Sequence, residues 1–179
     1  MPEPKPSSPS LLPAALIGLV IFAGLYFLIV ALNTGDLLWL SPVFEEVPVG
    51  MVVHCYGEDK EINPGDPAFQ PVNEAVNQTL TGFKRWDDLT MSEATYQEYQ
   101  TNATFMVLEL FYDPPARIHS SYKFYKFVDT LIIPLDGRHA QYNSIFGRRG
   151  EYTNAGSFHV GSMELIVTVL AEQDICSVP

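Results

Sequence analysis

Apolar and polar positions divide the chain into two unequal parts. Residues 6–35 carry no charge, and Leu11 to Leu32 is apolar almost without interruption. A helix needs about 20 residues to cross the hydrocarbon of a bilayer, so residues 11–33 are expected to form a transmembrane helix. In lipid every backbone N–H and C=O has to be satisfied within the segment, which leaves the helix as the form for a lone span. Pro13 falls in the first turn, where a missing N–H costs little. Residues 1–10, rich in proline and serine, have the composition of a disordered tail. Residues 34–46 then form a juxtamembrane segment and residues 47–179 a single domain.

Beyond the span the periodicity changes. The β-branched run from Val47 to Tyr56 predicts a strand, with Glu61-Ile62 as a short return strand. Asn63 to Pro67 is dense in turn residues. Val72, Val76, Leu80 and Phe83 recur at helical spacing, which predicts a helix over 71–83. A second helix is expected over 92–100. Thr90 and Glu93 stand at capping-box spacing, and Ser92 is an alternative cap. Thr104 to Tyr112 is apolar on both faces, as in a central strand, and Asp113-Pro114-Pro115 is expected to end it. Tyr122 to Phe127 alternates aromatic residues with lysines. Further strands are expected at 128–135 and 143–146. Residues 162–173 fit a helix capped by Ser162, and Leu165 to Leu170 also fits a strand; helix is the reading taken. The expected fold is α+β: one N-terminal transmembrane helix followed by a single small domain, a mainly antiparallel sheet with two or three helices on one face.

The length of the apolar run and the poor cleavage site at Ala31-Leu32-Asn33-Thr34 favour an uncleaved signal-anchor over a cleaved signal peptide. Lys5 and the amino terminus lie on one side of the run. Asp36, Glu45 and Glu46 lie on the other, where the first basic residue is Lys60. That asymmetry predicts a single-pass protein of the cell membrane, with a cytoplasmic N-terminus and an extracytoplasmic domain. Trp39, just past the run, is placed for the membrane interface. Ala14, Gly18 and Gly24 are small residues of the kind that let membrane helices approach closely.

The formal net charge of −11 argues against a nucleic-acid partner, which needs a basic face. Cys55 and Cys176, an even count in the proposed extracytoplasmic domain, are expected to form a disulfide. Asn77-Gln-Thr79 and Asn102-Ala-Thr104 are glycosylation sequons that matter only in a secretory pathway that uses them.

No motif for catalysis, metal or cofactor stands out. His54 and Cys55 are adjacent on a strand and so point to opposite faces. His119, His139 and His159 lack ligand spacing. No G-x-S-x-G is present, and Gly161-Ser162 resembles a helix cap. Ser120-Ser121, Asp87-Asp88 and Glu45-Glu46 carry no further pattern. Gly147-Arg148-Arg149-Gly150 is too short for a phosphate-binding loop.

Six basic residues fall close together in the sequence, however: Arg117, Lys123, Lys126, Arg138, Arg148 and Arg149. They are interleaved with Tyr122, Phe124, Tyr125 and Phe127, a composition enriched at interaction surfaces. The competing reading is a solvated sheet edge protected by lysines. The expectation is a non-catalytic accessory or interaction subunit of a membrane complex, without cofactor or metal. It would contact lipid through its helix and an integral-membrane partner through the basic face. A membrane-tethered small-ligand binder or sensor is the alternative, and a membrane-anchored hydrolase the more distant one.

Overall fold

The computed structural model describes residues 11–82, 84–87, 89–122, 127–150 and 156–179. The apolar run forms one helix, α1, Leu12–Thr34. At about 1.5 Å per residue it is long enough to cross a membrane, and its composition fits. It ends at Gly35, whose left-handed conformation lets its N–H reach Ala31 O.

The domain is a seven-stranded sheet, antiparallel throughout. Its strands are β1 (Gly50–Cys55), β2 (Glu58–Ile62), β3 (Arg85–Asp87), β4 (Met106–Ala116), β5 (Val128–Asp136), β6 (Ser144–Arg148) and β7 (Ser157–His159). Their order across the sheet is β2-β1-β4-β5-β6-β7-β3. Three further helices, α2 (Phe69–Leu80), α3 (Glu93–Thr101) and α4 (Glu164–Glu172), cover it. The α+β expectation holds at this level.

The helices do not share one face. Met51, Val53, Leu108 and Leu110 pack against Val72, Val76 and Leu80 of α2 and Ile166 and Leu170 of α4. Their strand neighbours Val107, Ile132 and Phe146 point the other way, against Tyr96 and Tyr99 of α3. α3 can lie apart from the other two because β4 is apolar on both faces.

One local expectation is corrected and two open alternatives are resolved. β4 does not stop at Asp113-Pro114-Pro115 but runs through to Ala116. The pairing with β5 shifts register between Phe111 and Ala116, so the prolines occupy positions where no ladder N–H is required. Pro134 likewise sits inside β5, beside a second shift between Met106 and Val107. Within residues 162–173 the helix reading holds: α4 spans Glu164–Glu172, and Ser162 Oγ accepts from the N–H of Glu164. Ser92, not Thr90, caps α3, accepting from Thr95 N–H at 3.1 Å.

Cys55 at the end of β1 and Cys176 just after α4 form a disulfide with Cα atoms 5.8 Å apart. It ties the α2–α4 layer to the sheet. Gly137 is required where it stands. Its φ is +87°, and the Phe105 ring occupies the place of a Cβ.

Candidate functional site at the helix-proximal end of the sheet

α1 is built into the domain rather than strung to it. Ala31 and Thr34 at its end are buried, and Asp36 is 5% exposed. The reason is a set of polar contacts to the segment after β4. His119 Nδ1 donates to both carboxylate oxygens of Asp36, at 3.1 and 2.9 Å. The Arg117 guanidinium donates to Gly35 O at 3.0 Å, and the Arg117 backbone N–H donates to Glu46 Oε1 at 3.2 Å. The chain from Ser41 to Phe44 is fastened to the end of α2. Gly82 N–H donates to Pro42 O at 2.9 Å, and Phe44 N–H to Thr81 Oγ1 at 3.1 Å. Those made by Asp36, Glu46 and the Arg117 guanidinium are charge-assisted, the stronger kind of hydrogen bond in proteins.

Trp39 folds back along α1 until its ring meets Tyr26 and Phe27, with both centroid separations 6.0 Å. Tyr26, Phe27 and Trp39 thus form an aromatic group at one end of the apolar helix. Beside Trp39 opens a cleft of about 320 Å³ that is also lined by Pro42, Lys84, Trp86, His119 and Ser121. The Lys84 ammonium donates to two backbone carbonyls, Pro42 O at 3.2 Å and Gly82 O at 3.3 Å. Burial pulls its pKa below the ordinary lysine value.

The basic residues singled out by sequence are only partly brought together. Arg117 and Arg149 both place a guanidinium 5.7 Å from the ring centre of Phe127. Arg148 is largely covered. It lies 4.2 Å over the Tyr96 ring and pairs with Glu93 at 3.5 Å. Arg138 stands at the other end of the β4–β5 pair, bound to Glu98 at 3.5 Å. Lys123, Lys126, Phe124 and Tyr125 lie outside the described residues, as do Phe83 and Asp88.

A second polar assembly, which the sequence did not disclose, crosses the α3 face. The register pairs Val52 with Glu109 and His54 with Val107, so His54 and Glu109 are diagonal neighbours on one face. Asp59 Oδ1 lies 2.7 Å from His54 Nδ1, and His54 Nε2 lies 3.7 Å from Glu109 Oε2. The Tyr96 hydroxyl donates to Glu109 Oε2 at 3.4 Å, and Arg148 covers Tyr96. His54 is 6% and Glu109 1% exposed. Burial opposes protonation of His54, but the carboxylates of Glu109 and Asp59 outweigh it and raise the imidazole pKa. Glu109 Oε1 is buried without a hydrogen-bond partner among the described residues.

The remaining histidines serve local contacts. His159 Nδ1 lies 3.0 Å from Asp87 Oδ2, which also accepts from Ser144 Oγ at 3.2 Å. There the carboxylate stands between serine and imidazole, so the imidazole is not placed to activate that hydroxyl. His139 meets the Tyr99 hydroxyl. Among the described residues no group of three or more His, Cys, Asp or Glu is placed to hold a metal ion. Cys55, in its disulfide, has no thiol to offer as a nucleophile.

Asn77 lies within α2 with its Oδ1 buried. Asn102 closes α3, accepting from the N–H and hydroxyl of Thr104. No family model matches the chain, and neither a curated protein nor a solved structure is significantly similar to it.

Proposed function

We propose that the protein is a single-pass membrane protein whose extracytoplasmic domain is a non-catalytic interaction subunit of a membrane complex. The observation that carries this reading is the attachment of α1 to the sheet. A flexible tether is enough to keep a binder or an enzyme near a membrane. Burying Ala31, Thr34 and Asp36 and fixing the exit of the helix to Arg117 and His119 holds the domain at one attitude to the bilayer. A fixed attitude is useful to a protein that presents a surface to a neighbour in the same membrane.

The surface offered at that end is Phe127, 41% exposed, with the guanidinium groups of Arg117 and Arg149 against it. Arginine beside an exposed aromatic ring is the composition of interface anchors. The Cys55–Cys176 disulfide fits an oxidising compartment outside the cytoplasm, and the charge asymmetry about the span fits the same orientation.

The test is mild-detergent extraction of native membranes, size fractionation and mass spectrometry of what travels with the chain. The expected result is co-migration with an integral-membrane complex at fixed stoichiometry, abolished by Arg149→Glu. Arg149 is exposed, so that variant leaves the fold intact. Migration of the wild-type chain alone would overturn the subunit reading.

A further inference from the structure

The only two tryptophans of the chain, Trp39 and Trp86, line the same cleft. The Trp39 ring that forms one wall is also the ring packed on Tyr26 and Phe27, so the cleft begins where the lipid-facing surface of α1 ends. Trp86 is stacked on Tyr122, with centroids 4.3 Å apart and planes within 17°. Leu40 lines the cleft, and with Leu37 and Leu38 before it continues the apolar surface of the helix, the three being 64%, 71% and 59% exposed. Contiguous exposed leucines suit an interface with lipid better than one with water.

Lys84 gives this apolar cleft its polarity. In a chain of net charge −11 it is a half-buried cation whose described acceptors are two neutral carbonyls. Burial alone accounts for its lowered pKa, with no carboxylate among the described residues offsetting it. An ammonium carries three N–H donors, so a group of opposite charge would both use the third and restore the charged form. The Asp36 carboxylate does not serve, being taken by His119 and by Leu38 N–H at 2.9 Å.

We propose that the cleft seats the phosphate-bearing headgroup of a bilayer phospholipid, with Lys84 as the cation and Trp39 and Trp86 as the walls. This rests on the reading that α1 spans a membrane. The phosphate layer of a bilayer lies at the depth favoured by tryptophan and tyrosine, just outside the hydrocarbon, where the cleft stands relative to α1. A lipid held here extends the grip of the protein on the bilayer from its helix to the domain.

Because both tryptophans line the cleft, intrinsic fluorescence tests the proposal in the full chain reconstituted into phosphatidylcholine vesicles. The quencher is phosphatidylcholine with a nitroxide on its headgroup. Trp39 touches the span and is quenched by any surrounding lipid, so Trp86 is the informative ring and is observed alone in Trp39→Phe. The expected result is saturating quenching of Trp86. Lys84→Gln in that background should require about tenfold more labelled lipid for the same quenching, the loss of a charge-assisted contact.

Quenching of Trp39, observed in Trp86→Phe, without quenching of Trp86 would overturn the headgroup site while leaving the span intact. Quenching of neither ring would overturn the span as well. Equal quenching of Trp86 with and without Lys84 would overturn recognition of the phosphate. Relief of Trp86 quenching by water-soluble glycerophosphate would assign the site to a free phosphate ester and overturn the lipid assignment.

Discussion

On the face covered by α2 and α4, Met51, Val53, Leu108 and Leu110 meet Val72, Val76, Leu80 and Leu170 in an extensive apolar cluster. On the face covered by α3, Val107, Ile132 and Phe146 form a much smaller cluster beside Glu109 and His54. The same strand supplies both sides, since Leu108 and Leu110 alternate with Val107 and Glu109 along β4. The first face stabilises by removing apolar area from water, a term indifferent to partner geometry and to pH. The second depends on which groups carry protons and on their exact pairing. Burying a carboxylate and an imidazole yields a net gain only while each keeps its partner. One sheet therefore has a side that sets stability and a side that sets a protonation state.

Substitutions separate the two. Leu110→Ala, at a fully buried position of the apolar face, is expected to lower the unfolding free energy by about 2–5 kcal/mol. Chemical denaturation should show that loss to be nearly the same at every pH. On the other face Glu109→Ala is expected to cost about 3 kcal/mol, because it leaves a hole and strips His54 of its buried partner. The double variant His54→Leu with Glu109→Leu should recover most of that loss, as apolar replacements of buried pairs often do. Failure of the double variant to recover would mean that the α3 face needs its charges to fold at all.

The smallest effect is the most specific. His54 has a raised pKa in the folded state, so its contribution is complete below the unfolded value of about 6.5 and is lost as pH rises through the folded pKa. His139 runs the other way. Burial, with help from Arg138, lowers its pKa, so its contribution weakens as pH falls through the unfolded value. Melting curves of wild type and His54→Gln across about pH 5 to 9 should therefore differ most at the acid end and converge at the alkaline end. Parallel curves would show that His54 does not titrate with folding.

The apolar face was largely legible in the sequence because it is written in local periodicity. The helical spacing of Val72, Val76 and Leu80 and the two-faced apolar run of β4 each declare their element without reference to the rest of the chain. The even cysteine count pointed to the disulfide in the same way. The α3 face was not legible. His54 and Glu109 lie far apart in sequence, and only the antiparallel register of β1 on β4 makes them neighbours. β3 and β7, three residues each, are too short for a period to show, and they exist because β7 pairs with β6 and β3 pairs with β7 at the sheet edge. The basic run misled in part for the same reason. Proximity in sequence between Arg117 and Arg138 is converted by the β4–β5 hairpin into opposite ends of a pair of long strands.

The attachment of α1 also has a mechanical meaning. Residues 35–49 lead from the helix to β1, and in a simple tether a pull on the helix would first straighten that slack. Here Gly35 and Asp36 are gripped by Arg117 and His119, just beyond the end of β4. A tug on the helix therefore loads β4, an interior strand hydrogen-bonded on both sides, before the connecting chain comes under tension. The part of the domain that first takes up a pull on α1 is a strand held by a neighbour on each side.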